Sequence, residues 1–127
     1  MLTDSEIDKI LNFLDQYGKF ILVYKDDIIK HEEYGTHEVV WKNGEIIAYS
    51  RWNVEGDTAH IIEAVVAPWY RFKRLLKLML CRGLRRFPVK YIKYEREWKA
   101  RKEMRIVSVD DFLNIKETRW AAVQEKS

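Results

Sequence analysis

Between Ala64 and Tyr94 lie nine Lys or Arg residues and no Asp or Glu, directly after a β-type run that closes as Val65-Val66-Ala67-Pro68. A basic helix that follows a strand through a short loop is one way to hold phosphate groups, because helix N-terminal amides and cationic side chains converge on one point. The same charges equally suit an ordinary solvated helix face. A second cluster, Lys93, Arg96, Lys99, Arg101, Lys102 and Arg105, is interleaved with Tyr94 and Trp98. That pattern fits nucleic-acid contact, with cations displacing counterions and aromatics stacking on bases. Against it, Glu95, Glu97 and Glu103 dilute the charge, and no recognised nucleic-acid motif is present. Cys81 lies on the basic side of the helical wheel, where Lys77 and Arg85 would favour the thiolate. No His stands at a spacing suggestive of a dyad with it, and a lone helix cysteine is usually structural. His31, His37 and His60 are too dispersed to suggest a metal site.

These residues sit in a chain whose net charge of +3 conceals its asymmetry. Residues 1–63 carry 6 basic and 13 acidic groups, residues 64–94 carry 9 and 0, and residues 95–127 carry 8 and 7. With 127 residues and 47% hydrophobic content, one core in one domain is expected over residues 1–127. The tail from 114 to 127 is expected to fray. A single cysteine excludes an intramolecular disulfide and suggests a reducing, cytoplasmic setting. The N-terminus is polar and acidic, and no apolar run approaches the roughly 18 residues of a membrane span, so no membrane partner is expected.

The elements that position the charges follow from periodicity. Thr3 and Glu6 form a capping-box pair ahead of Ile7, Ile10, Leu11 and Leu14, predicting a helix over residues 4–17 that stops at Gly18. The stretch Phe20 to Lys30 fits a short strand or a second helix, with helix preferred. Three strand signals follow, over 38–42, 45–53 and 58–67, joined by Asn43-Gly44 and by Glu55-Gly56-Asp57. After Pro68 the period changes to 3.6, and Phe72, Leu75, Leu76, Met79, Leu80 and Gly83 share one arc of a helix over 71–86. Phe87-Pro88 ends it. Strands are expected at 89–98 and 105–109, and Ser108 with Asp111 suits the cap of a terminal turn through Leu113.

This order, together with Val65-Val66-Ala67-Pro68-Trp69-Tyr70-Arg71-Phe72-Lys73-Arg74-Leu75-Leu76, resembles the fourth strand, cofactor loop and following helix of the GNAT acyltransferase superfamily. The resemblance covers roughly residues 38–98. It implies an α+β fold with a GNAT-like, central, mostly antiparallel sheet flanked by helices. It also implies an acyl-CoA-dependent N-acyltransferase that uses acetyl-CoA and an amine acceptor, or a reduced, degenerate relative of the small phage and prokaryotic type. The alternative is a non-catalytic scaffold of this fold that binds nucleic acid or protein through its basic face.

The resemblance assigns roles to particular positions. Val65, Val66, Arg71, Phe72, Lys73, Arg74, Leu75 and Leu76 stand where the family holds the pantetheine arm and pyrophosphate. Phe72, Arg74 and Leu76 occupy positions where the family prefers Gly or Ala, and a Cβ there opposes close approach of the backbone to phosphate. Glu63 stands on the strand where a general base for the amine can sit; the bland alternative is a carboxylate paired with Arg51 or Lys93. Tyr91 and Tyr94 are the candidates to protonate a departing thiolate, against plain packing roles.

Overall fold

The computed structural model describes residues 1–18, 22–71, 74–98 and 101–113. Helix α1 (Asp4–Tyr17) starts with the capping box that the sequence predicts: Glu6 N donates to Thr3 Oγ1 at 3.1 Å and Thr3 N donates to Glu6 Oε1 at 2.9 Å. Its buried stripe is Ile7, Ile10, Phe13 and Leu14, the i, i+3, i+4 spacing of a helix docked on one face. The ambiguous stretch resolves as helix α2 (Lys25–Tyr34), capped where Tyr24 N donates to Asp27 Oδ2; residues 20 and 21 of that stretch lie outside the described residues. Strands β1 (His37–Lys42), β2 (Glu45–Glu55) and β3 (Thr58–Val66) form the expected antiparallel meander, with Asn43 and Gly44 both at positive φ in the first turn.

The chain after β3 departs from the predicted boundaries. Pro68–Tyr70 make a 3-10 turn, and helix α3 (Leu75–Leu84) begins four residues later than expected. Its N-cap, Arg74, lies at φ 60° and ψ 10°, the left-handed region. A helix cannot run through such a residue, and that is the physical reason the period of 3.6 overshot the start. Strand β4 (Tyr91–Trp98) starts two residues later than predicted. Strand β5 (Arg101–Ser108) begins at Arg101 rather than Arg105, because Arg-Lys-Glu-Met-Arg is exposed on both faces and shows no apolar alternation. A short helix α4 (Val109–Leu113) follows, with Asp111 N donating to Ser108 Oγ at 3.1 Å as the cap spacing suggested.

The sheet order is β1-β2-β3-β4-β5, antiparallel everywhere except between β3 and β4, which α3 connects. One core lies under α3, built on Ala48, Trp52, Ala59, Val66, Met79, Leu80, Ile92 and Phe112. The other lies under α1 and α2, built on Ile10, Leu14, Ile28, Tyr49, Val65 and Ala67. Gly83 sets the depth of the first: a Cβ on it would run into Trp52 Cη2 and come within 2.8 Å of Glu38 Cγ. No helix among the described residues is long and apolar enough to cross a membrane.

Candidate functional site

β3 and β4 run side by side for only three residue pairs, Thr58 with Tyr91, Ala59 with Ile92 and His60 with Lys93. β3 then continues to Val66 and β4 to Trp98 without further pairing to each other, so the parallel strands part into a wedge. At the closed side of β3 the ladder to β2 persists, and Ala67 N still donates to Ile47 O at 2.8 Å. The end of β3 is therefore rigidly held on one side and parted from its neighbour on the other. That is the geometry needed for an extended ligand to lie beside a strand.

The loop at the mouth of the wedge joins β3 to α3. Arg71 Nε donates to Val66 O at 3.4 Å and ties the loop back to the strand it left. Arg74 then turns left-handed and hands over to α3, whose first intrahelical bond is Leu78 N to Arg74 O at 3.1 Å. The N–H groups of the first helical turn therefore point out of the helix end, beside two arginines, which is an anion-binding arrangement. Arg74 occupies a position where the resembled family prefers glycine, and its backbone takes the conformation that glycine adopts most readily. The missing glycine is replaced in conformation, at a strain of about 1–2 kcal/mol. Leu76 is buried in the α3 core and Leu75 packs against it, as their shared helical arc suggested, so it is their backbone that a ligand can meet. Phe72 and Lys73 lie outside the described residues.

On the opposite face of β2 and β3 sits a buried charge pair. Glu63 is 4% exposed and Arg51 7%, and Arg51 Nε donates to Glu63 Oε1 at 3.2 Å. They are direct cross-strand partners, one of the two pairings weighed for Glu63 from sequence. Gly18, at the end of α1, lies over the carboxylate: a Cβ there would fall 3.1 Å from Glu63 Oε2. Beyond Gly18, Tyr17 packs edge-on against Trp69, ring centroids 6.0 Å apart, and Trp69 is 65% exposed. The same face holds Tyr49 and His37, whose Oη and Nδ1 lie 3.1 Å apart, and His31, whose Nδ1 is 2.8 Å from Thr36 Oγ1. Burial pushes the Tyr49 hydroxyl above its ordinary range, and it holds His37 below its usual value and His31 down to about 4. Both imidazoles are therefore neutral hydrogen-bonding groups at neutral pH.

The structure does not bring either candidate tyrosine to Glu63. Tyr91 starts β4 opposite Thr58, five residues from Glu63 along β3, or about 16 Å at 3.3 Å per residue. Tyr94 packs its ring on Phe112 at 5.3 Å, on the α3 side of the sheet. The basic helix face is also partly committed. Arg82 Nε donates to Glu38 Oε2 at 2.6 Å, and Arg86 binds Glu38 Oε1 together with the carbonyls of Gly35 and His37. Two cations of the basic middle segment, Arg82 on α3 and Arg86 just after it, thus clamp this part of the chain to β1 and the turn before it. Of the second cluster, Arg101, Lys102 and Arg105 lie on exposed β5, and Lys99 lies outside the described residues. Tyr17 was not singled out by the sequence; Gly18 was read only as the stop of α1, and Trp69 only as part of the loop motif and, with Trp41, Trp52 and Trp98, as a candidate for an exposed protein-binding patch, from which Trp52 is excluded by its full burial. A strand carrying a charged residue, Arg51, between Tyr49 and Trp52 was the available signal for the buried pair.

No protein-family model matches the chain, and no curated protein is significantly similar to it in sequence. Solved structures do match. Diaminobutyrate acetyltransferase from Paenibacillus lautus, in complex with L-2,4-diaminobutyric acid and coenzyme A, superposes with a TM-score of 0.63 at 15% identity over 72% of this chain and 60% of that one. The ribosomal-protein-S18-alanine N-acetyltransferase from Escherichia coli gives 0.54 at 17% identity, over 78% and 66%. N-acetylglutamate synthase from Neisseria gonorrhoeae, with coenzyme A and N-acetyl-glutamate, gives 0.56 at 11% identity, over 72% and 22%. The chain thus spans less than two thirds of the length of the first of these. The α+β fold is GNAT-like: a mixed five-stranded sheet flanked by helices.

Proposed function

We propose that this GNAT-like chain is an acyl-CoA-dependent N-acyltransferase that binds its donor in the wedge between β3 and β4. The observation that carries the reading is the parting of the two parallel strands after His60 and Lys93, with Arg71 and the left-handed N-cap Arg74 in the loop that leaves the parted end of β3. The residues present suit a diphosphate joined to a long, amide-bearing arm. Arg71, Arg74 and the first-turn amides of α3 would hold the diphosphate, and Val65 and Val66 would offer strand backbone to the arm. An acyl-CoA would bring an activated thioester, and acetyl-CoA is the smallest donor that fits this role. The acceptor is an amine.

The chain itself supplies position and a base. Arg51 fixes Glu63 in one orientation beneath the end of α1, and Glu63 takes the amine proton by way of a water entering past Gly18. Tyr17 and Trp69 line that approach with aromatic faces, to which a cationic amine is attracted before it loses its proton. A general base contributes roughly 10²–10⁴ in rate. Glu63→Gln, which keeps the Arg51 hydrogen bond and removes the base, should lower the release of free thiol in the presence of amine by that factor without changing coenzyme A affinity.

Coenzyme A binding is the deciding measurement. In backbone NMR, coenzyme A should move the amides of Val65, Val66 and Arg74 to Lys77, whereas inorganic pyrophosphate should move only the α3 end and lose its effect at high salt. Arg74→Gly keeps the backbone conformation but removes one of the cations that would face the diphosphate, so it should weaken binding. Leu76 must stay, because it is core. If neither protein binds coenzyme A at millimolar concentration, the donor site is absent and the non-catalytic scaffold reading replaces this one.

A further inference from the structure

The β4–β5 hairpin is the least supported part of the sheet. β3 pairs only with Tyr91, Ile92 and Lys93, so beyond Lys93 the two strands continue as a ribbon. Among the described residues no strand pairs with the outer edge of β5. A two-stranded ribbon alone is marginal in water. β5 is exposed from Arg101 to Ile106, with Met104 at 47% and Ile106 at 63%. Its ladder with β4 keeps one register from Tyr91 opposite Ser108 to Trp98 opposite Arg101, with no bulge or proline to deter another strand. Charge is the remaining guard on this edge, and its pattern selects a partner.

We propose that β5 is a self-complementary edge, pairing antiparallel with β5 of a second copy about a two-fold axis at Met104. The hydrogen-bond phase limits the choices. Val109 N donates to Lys90 O at 2.9 Å, one rung beyond the β4–β5 ladder. Odd-numbered residues of β5 therefore aim their backbone groups at β4, and Lys102, Met104 and Ile106 aim theirs outward. A symmetric antiparallel pair must match even with even, so its axis falls on a residue, and the central choices that pair most of the strand are Glu103, Met104 and Arg105. An axis at Glu103 opposes glutamate with glutamate and Arg101 with Arg105. An axis at Arg105 opposes arginine with arginine. At Met104, Glu103 of each copy faces Arg105 of the other, in the non-hydrogen-bonded type of pair where side chains lie closest. Glu103 and Arg105 already share a face and reach each other within one chain, Arg105 Nε to Glu103 Oε2 at 3.7 Å. On the other face Met104 meets its own copy, and the Lys102 stem covers Ile106. The result is a continuous sheet across both chains that supports both ribbons.

Sedimentation of the full chain should show a dimer of two 15.4 kDa protomers at micromolar concentration. Met104→Pro removes an outward N–H and spares the β4 ladder, so it should weaken the dimer at least about tenfold while leaving the circular dichroism of the fold unchanged. Glu103→Arg and Arg105→Glu should each give a monomer, since each sets like charges across the axis. Mixed in equal amounts, the two variants should form a heterodimer as tight as the wild type, because every cross-strand pair is then opposite in charge. A wild-type chain that stays monomeric near millimolar concentration overturns the proposal. So does a dimer indifferent to Met104→Pro, or two charge variants that fail to pair with each other.

Discussion

Along β2 and β3 the side chains alternate between two faces of one sheet, and the two faces hold different kinds of interaction. Toward α3 the contact is made by shape: Trp52 is fully buried under Gly83, and Leu80, Met79 and Val66 close around it. At the border of that side Arg82 and Arg86 clamp Glu38. Toward α1 and α2 the same strands bury Arg51, Glu63 and Tyr49, with half-buried His37 of β1 beside the Tyr49 hydroxyl at the border. The difference teaches that one sheet can be held by shape on one face and by a buried ion pair on the other. An apolar face gains from packing, whereas a buried ion pair is a weak way to gain stability and is costly to break by removing one partner.

The sharpest way to break the contrast is to remove one charge. Arg51→Met leaves Glu63 buried without its cross-strand partner and should cost about 3–5 kcal/mol in urea unfolding. Arg51→Met combined with Glu63→Leu should recover most of that loss, as apolar replacement of a buried pair usually does. A single-variant cost near zero would mean that the pair is not a buried unit.

Next in size is pH. His31 is held down to about 4 by burial, against an ordinary value near 6.5 in the unfolded chain. The unfolded state therefore binds the proton first, so stability is complete above about pH 6.5 and falls as the pH drops toward 4. The loss should reach roughly 3 kcal/mol, with His37 adding in the same direction, and His31→Gln should flatten the profile. An unchanged profile in that variant would move the effect to other groups.

On the α3 face the test is steric. Gly83→Ala gains about 1 kcal/mol in helix propensity, yet its Cβ collides with the Trp52 ring, so a net loss of about 2 kcal/mol is expected from chemical denaturation. If the variant is instead stabilised, α3 is free to rise off the sheet and the face is not held by shape. The smallest effect belongs to the loop between the faces. Arg74→Gly relieves a left-handed arginine and should raise the midpoint of thermal unfolding, by about 1 kcal/mol of stability. A fall in stability would show that the arginine side chain outweighs its backbone strain.

Much of the sheet was legible before any coordinates. The capping box at Thr3, the Asn43-Gly44 turn, the alternation in β2 and β3 and the cap at Ser108 are local signals, and each folded where it was read. The start of α3 was not legible, because its apolar arc extends back to Phe72 and nothing in the letters marks a left-handed arginine at 74. β5 was shortened because its exposure on both faces erases the period of two. Glu63 was visible as a charged residue on a strand, with Arg51 among its possible partners. That Tyr17 and Gly18 at the end of α1 come together with Trp69 and Glu63 was not legible, since the end of α1, the loop after β3 and β3 itself are separate segments.

Residue order alone determined the α+β plan, the meander, the amphipathic basic helix and the charge imbalance, because these depend on spacing within one segment. Only the tertiary structure decided the rest. It parted β3 from β4 after three pairs, bound Arg82 and Arg86 to Glu38, and kept Tyr91 and Tyr94 away from Glu63. Those outcomes depend on which faces meet across the sheet, and side-chain periodicity within a segment carries no information about what lies opposite.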